Sequence, residues 1–137
     1  GVIYFGLMLT QDGPKVLEYN ARFGDPEAQV ILPRMKTDLV DVCNACIDGT
    51  LDQLEVEFED NAAVCVVLAS DGYPVQYEKG KLIEGLENFK NAGGYYCFHA
   101  GTKQTEKGIV TNGGRVLGVT AKGADLRQAR ANTCVMI

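Results

Sequence analysis

Glu18, Asn20, Arg22, Asp25 and Glu27 fall within the stretch Glu18-Tyr19-Asn20-Ala21-Arg22-Phe23-Gly24-Asp25-Pro26-Glu27, the densest run of functional side chains in the sequence. A carboxylate and a carboxamide two residues apart on a strand point to one face. Both offer the hard oxygen ligands that Mg²⁺ and Mn²⁺ prefer. An Arg two residues further on can stabilise charge building on a transferring phosphoryl group. The pattern outlines phosphoryl transfer, with Glu18 and Asn20 as metal ligands and Arg22 as the catalytic, electrostatic group. The same string also reads as a polar strand edge whose Glu18 and Arg22 form a surface ion pair worth at most about 1 kcal/mol. Spacing alone favours the surface pair.

The elements that must position these residues follow from local pattern. VIYFGLML at 2–9 is apolar and β-favouring, QDGP at 11–14 is a turn signal, and KVLEYN at 15–20 alternates at period two. Together they predict a β-hairpin with a loop of about four residues. Strict alternation puts Val16, Glu18 and Asn20 on one face and Leu17 and Tyr19 on the other, with Arg22 continuing the parity of Glu18. Asp25, Pro26 and Glu27 read as a helix start, with Asp as cap, Pro in the first position and Glu in the first turn. Pro33 interrupts that run. A second helix is predicted from Thr37 or Asp38 through LVDVCNACIDG, with Leu39, Val42, Cys43, Cys46 and Ile47 on one face and Gly49 as its stop. LDQLEVEFED is an acidic bridge. From Asn61 onward AAVCVVLAS, YYCFHAG and KGIVTNGGRVLGVTA read as short strands joined by Gly-rich turns. ADLRQARA then reads as a helix with Leu126 and Ala129 at core spacing. The fold class is α+β: a hairpin with helices, then a small β-rich, barrel- or sandwich-like domain with a terminal helix.

The chain has 137 residues, 46% hydrophobic and 23% charged, enough to bury a core of ordinary globular type. Its net charge of -5 sets up no positive field for polyanions, so no nucleic-acid partner is expected. No apolar run approaches a membrane span, and no basic residue precedes the first apolar stretch as in a signal peptide, so no membrane association and a cytoplasmic location are expected. Five cysteines without paired spacing argue against a disulfide framework. Cys43 and Cys46 form a lone CxxC within a predicted helix, which favours buried structural thiols over a zinc half-site. His99, the single histidine, is expected to be structural.

VLEYNARFGDPEAQVILPRMKTDL closely resembles the end of the ATP-grasp module of the phosphoribosylamine–glycine ligase (glycinamide ribonucleotide synthetase) family. GLMLTQDGPKVLEYN is similar to the hairpin leading into that motif, and SDGYPVQYEKG, FHAGT and TNGGRVLGVTA to the family's small C-terminal domain. The resemblance implies residues 1–60 as the C-terminal part of an ATP-grasp domain and 61–137 as the C-terminal β-rich domain. It implies an ATP-dependent ligase that joins glycine to 5-phosphoribosylamine, releasing ADP and phosphate, in de novo purine biosynthesis. It puts Glu18 and Asn20 on Mg²⁺ or Mn²⁺, and Arg22 on phosphate or the acyl-phosphate intermediate. Asp25 is a candidate cofactor-binding residue beside Arg22, and Glu27 a candidate substrate-binding residue, with helix capping an equal reading for both. Arg115, after Gly113 and Gly114, is a candidate for the ribose phosphate or else a solvated residue after an ordinary turn.

The resemblance also implies what a complete enzyme needs besides these residues: an N-terminal domain and the earlier ATP-grasp segments that grip the nucleotide. The polypeptide alone is therefore expected to be inactive. The family's C-terminal domain would continue past NTCVMI with another strand. Losing that strand would leave an open edge that favours a dimer or a domain swap. The alternative function is a non-catalytic binding or interaction module that keeps the fold.

Overall fold

In the computed structural model, which describes residues 1–89 and 93–137, the opening apolar run and the alternating run after it form β1 (Tyr4–Thr10) and β2 (Gly13–Asn20). They pair antiparallel around a loop of only Gln11 and Asp12, tighter than the predicted four residues. The Thr10 hydroxyl closes the loop by donating to the Gly13 carbonyl (2.8 Å). Tyr4 lies opposite Asn20, Phe5 opposite Tyr19 and Gly6 opposite Glu18; the register then slips, so that Leu7 faces Val16. Leu17 is the extra residue of a β-bulge. Directly opposed residues share a face, so Val16 joins Phe5, Leu7 and Tyr19 rather than Glu18 and Asn20. The predicted parity holds for Glu18 and Asn20 and fails for Val16, because a bulge resets alternation. The apolar face of this hairpin is largely open, with Leu9 83% and Tyr19 64% exposed, and Phe5 and Tyr19 rings meeting edge to face at 5.2 Å.

After β2 the chain bends and enters α1 (Ala28–Ile31), which tightens into a single 3-10 turn over Leu32–Arg34 at Pro33. Helix α2 (Leu39–Asp48) begins where the Asp38 carboxylate accepts from the Val40 amide (2.8 Å), and it ends at Gly49, whose φ of 70° suits glycine. Glu57 and Glu59 pair with the Arg34–Lys36 segment: the Lys36 amide donates to the Glu57 carbonyl, the Glu59 amide to the Arg34 carbonyl, and Lys36 Nζ meets Glu57 Oε2 at 2.6 Å. This Lys36 contact holds the Glu57 carboxyl below its ordinary value. The acidic bridge is thus tied into the first of two units, Gly1–Glu59 and Asp60–Ile137.

The expectation of buried thiols on α2 is not met. Cys43 is exposed and Cys46 half-buried, both free, because the residue of this helix that turns fully inward is Ala45. The two thiols line an apolar concavity of about 470 Å³ with Phe23, Ile31, Met35 and Phe58. In the second unit Cys97 is buried, and burial pushes its thiol pKa up, whereas Cys134 is exposed. Thiolate is the reactive form. Aromatic-disulfide titration of the native chain should therefore modify Cys43 and Cys134 first and Cys97 only on unfolding. Equal native rates for Cys43 and Cys97 would contradict this burial pattern.

The second unit is built on β3 (Ala62–Ala69), β4 (Tyr95–His99) and β7 (Arg115–Gly123), an antiparallel sheet in the order β3-β7-β4. A separate hairpin pairs β5 (Thr102–Thr105) with β6 (Gly108–Thr111). The central strand β7 is buried from Val116 to Ala121, and Val119 is 1% exposed. Cys97, Val116 and Leu117 form a core cluster with Leu68, Ile83, Leu86 and Phe89 against it. Helix α3 (Leu126–Val135) packs on β3 and β7. Its start is reciprocal: Asp125 accepts from the Gln128 amide (2.7 Å), and Gln128 Oε1 accepts from the Ala124 amide (2.8 Å). Leu126, expected in the core, is 68% exposed, and the buried pair is Ala129 and Thr133. The helix sits too close to the sheet for a leucine: a Cβ on Gly123 would overlap the Ala129 amide nitrogen and lie 2.9 Å from Ala129 Cα. Thr133 fits there because its hydroxyl reaches both the Val64 carbonyl (3.1 Å) and the Ala129 carbonyl (2.8 Å). No helix of the described residues is long and apolar enough to cross a membrane.

Candidate metal and phosphate site

Glu18 and Asn20 share a face of β2, opposite Gly6 and Tyr4 of β1. A Cβ added at Gly6 would stand 2.8 Å from Glu18 Cγ and 3.6 Å from Glu18 Oε1. The Glu18 side chain therefore lies folded across β1, in volume that only glycine leaves free. A second cut-out lies at Gly24, where an added Cβ would overlap the Glu27 carboxylate. Tyr4 joins the group: its hydroxyl donates to Glu27 Oε1 (3.2 Å). The negative charge of Glu27 and this hydrogen bond, with a smaller contribution from Glu18, raise the Tyr4 pKa above its ordinary value. The structure thus brings Glu18, Asn20, Tyr4 and Glu27 together. Tyr4 was invisible to sequence reasoning because a tyrosine in an apolar run reads as core. The available signal was its position two residues before a glycine on the strand that must face the carboxylate.

The remaining candidates stand apart from β2. The strand stops at Asn20, so Arg22 lies in a bend and does not continue the parity of Glu18; its guanidinium donates to the Phe23 carbonyl (2.9 Å). Among the described residues no ion pair joins it to Glu18, and the ion pairs found are Lys36–Glu57 and Lys81–Glu78. The capping expectation for Asp25 is corrected. The helix starts at Ala28, with Glu27 as the preceding residue and no side-chain cap, and Pro26 precedes the helix after a cis Asp25–Pro26 peptide. Asp25 accepts instead from Gln29 Nε2 (2.7 Å). Arg115 is exposed at the start of β7 in the second unit. Before it, Gly113 and Gly114 are occupied in packing: Ser70 donates to both of their carbonyls, and a Cβ on Gly101 would come within 2.6 Å of Gly113 Cα. Two backbone segments cross here at glycine. His99 is exposed at the end of β4, with Nδ1 3.1 Å from the Thr102 hydroxyl.

A hard divalent cation fits the donor set of β2: one carboxylate and one carboxamide oxygen on a common face, with the carboxylate laid into a cleared space. No group of three or more His, Cys, Asp or Glu converges among the described residues, so a cation at Glu18 and Asn20 would need further ligands from elsewhere. That is the normal situation for Mg²⁺, which keeps water and substrate phosphates as its other ligands.

Residues 63–136 match the family model described as phosphoribosylglycinamide synthetase, C domain, and residues 1–28 match that of the ATP-grasp (A) domain of the same synthetase. The phosphoribosylamine–glycine ligase of Caldanaerobacter subterraneus subsp. tengcongensis is 54% identical over 130 residues, which cover 95% of this chain and 30% of that protein. The trifunctional purine biosynthetic protein adenosine-3 of Gallus gallus is 56% identical over 130 residues, 94% of this chain and 13% of its own length. The crystal structure of phosphoribosylamine–glycine ligase from Thermotoga maritima superposes with a TM-score of 0.71 at 37% identity, covering 98% of this chain and 32% of that one. The chain spans about 30% of the length of its single-enzyme relatives. On the match of its residues 63–136, supported by these relatives, the chain belongs to the phosphoribosylglycinamide synthetase family.

Proposed function

We propose that this chain is the C-terminal portion of an ATP-dependent ligase that joins glycine to 5-phosphoribosylamine, releasing ADP and phosphate in purine biosynthesis. Residues 1–60 contribute one wall of an ATP-grasp cleft, and residues 61–137 form the small C-terminal domain. Glu18 and Asn20 hold Mg²⁺ or Mn²⁺, Arg22 contacts phosphate or the acyl-phosphate intermediate, Asp25 contributes to cofactor binding, and Glu27 and Arg115 contact substrate. A bound cation would neutralise phosphate charge, with Glu18 and Asn20 holding it, and Arg22 would stabilise the charge that develops on transfer. The observation that carries the reading is the common face of Glu18 and Asn20 over a space cleared by Gly6.

By itself the chain is inactive. The open apolar face of the β1–β2 hairpin supports this, because an isolated two-stranded ribbon is marginal in water and gains stability from further packing. Half a nucleotide cleft also lacks the in-line geometry that phosphoryl transfer requires. The test is a chimera in which these 137 residues replace the corresponding part of the Caldanaerobacter relative. The chimera should form ADP in a glycine- and phosphoribosylamine-dependent manner, and the chain alone should not. A folded chimera with no such turnover would favour a non-catalytic binding module instead.

A further inference from the structure

Gly6 does more than permit a strand. Opposite a residue that must stretch a carboxylate across the neighbouring strand, any side chain competes for the same volume. The 2.8 Å approach to Glu18 Cγ is closer than Cβ contacts normally come, and it involves the root of the side chain rather than its flexible tip. A larger residue there would turn Glu18 about its first side-chain torsion and swing the carboxylate off the face it shares with Asn20. Glycine inside a strand costs stability, and in exchange it marks close approach of another group. Here the group that approaches is the proposed metal ligand. The bulge at Leu17 directly follows this pair and fixes the register by which Gly6, rather than Phe5 or Leu7, stands opposite Glu18.

We propose that Gly6 is a positioning residue for divalent-cation binding: by leaving its side-chain volume empty it sets the direction of the Glu18 carboxylate relative to the Asn20 amide. The inference rests on the metal role proposed for Glu18.

The test uses the folded chimera, isotopically labelled in these 137 residues, with Mn²⁺ as the probe in the presence of ADP, whose phosphates supply further ligands. Substoichiometric Mn²⁺ should broaden the backbone NMR signals of residues 4–6 and 18–20 selectively, and Glu18→Gln should abolish that pattern. Gly6→Ala and Gly6→Val should each require about 10-fold more Mn²⁺ for the same broadening, the scale on which groups supporting a ligand act. Both variants should keep dispersed spectra elsewhere in the chain. Leu7→Ala, on the opposite face, should leave the Mn²⁺ response unchanged; should Gly6→Val fail to fold, Gly6→Ala decides. If Glu18→Gln removes the pattern while the Gly6 variants respond like the parent, the positioning role is overturned and the metal role stands. An equal loss in Leu7→Ala also overturns it, since the cause would be general strand damage. If broadening is absent, or survives Glu18→Gln, the metal reading itself falls.

Discussion

Replacing Glu18 with Gln in the chimeric enzyme is expected to lower glycine-dependent ATP turnover by about 100-fold or more, with little change in thermal stability. Gln keeps the shape and one oxygen, so the folded position over Gly6 is preserved. What is lost is the negative charge that holds the cation against the phosphates. Metal-borne charge stabilisation is worth several kcal/mol, and each 1.36 kcal/mol is a decade in rate, so a loss of about two decades is a conservative reading. The competing account, a surface pair between Glu18 and Arg22, predicts an effect near zero, and no such pair is present among the described residues. Steady-state rates at saturating ATP, together with the Mg²⁺ concentration needed for half-maximal rate, would check this. Activity within about threefold of the parent would remove Glu18 from the metal shell.

Gly123→Ala is the change with the largest expected effect on stability. The added methyl would strike the Ala129 amide nitrogen and approach Ala129 Cα at 2.9 Å, and both are backbone atoms of α3 that cannot rotate away. The helix must lift from β7, exposing Ala129 and stretching the hydrogen bond from the Thr133 hydroxyl to the Val64 carbonyl of β3. Overpacking of this kind costs about 1–3 kcal/mol. For a unit of this size, 1 kcal/mol lowers the melting temperature by about 4–8 °C. A fall of about 4–24 °C in the calorimetric transition of the second unit is the expected result. A fall under about 2 °C would mean that α3 docks with more slack than its contact with Gly123 implies.

The family and the identity of most elements were legible because they depend on short-range pattern. The stop at Gly49, the helix start near Asp38, the break at Pro33 and the strand at Ala62–Ala69 each follow from residues within a few positions of one another. Errors arose where a distant neighbour decided the outcome. The Val16 face was misassigned because a bulge depends on the partner strand as well as on β2. Cys43 was expected in the core because periodicity reports which face of a helix is apolar without reporting whether anything covers it. Leu126 and Ala129 were expected in the core on spacing; Ala129 is buried and Leu126 is not, because the close approach of α3 to Gly123 favours small side chains.

In the candidate site the same line divides the result. Sequence alone determined which side chains carry oxygen donors, that Glu18 and Asn20 lie two apart on a strand, and that the motif resembles the end of an ATP-grasp module. Tertiary structure decided that Gly6 stands under Glu18, that Tyr4 reaches Glu27, and that Arg22 leaves the strand to bond the Phe23 carbonyl. The physical reason is that torsional preference and alternation act along the chain, whereas excluded volume acts between segments whose register is known only once they have paired.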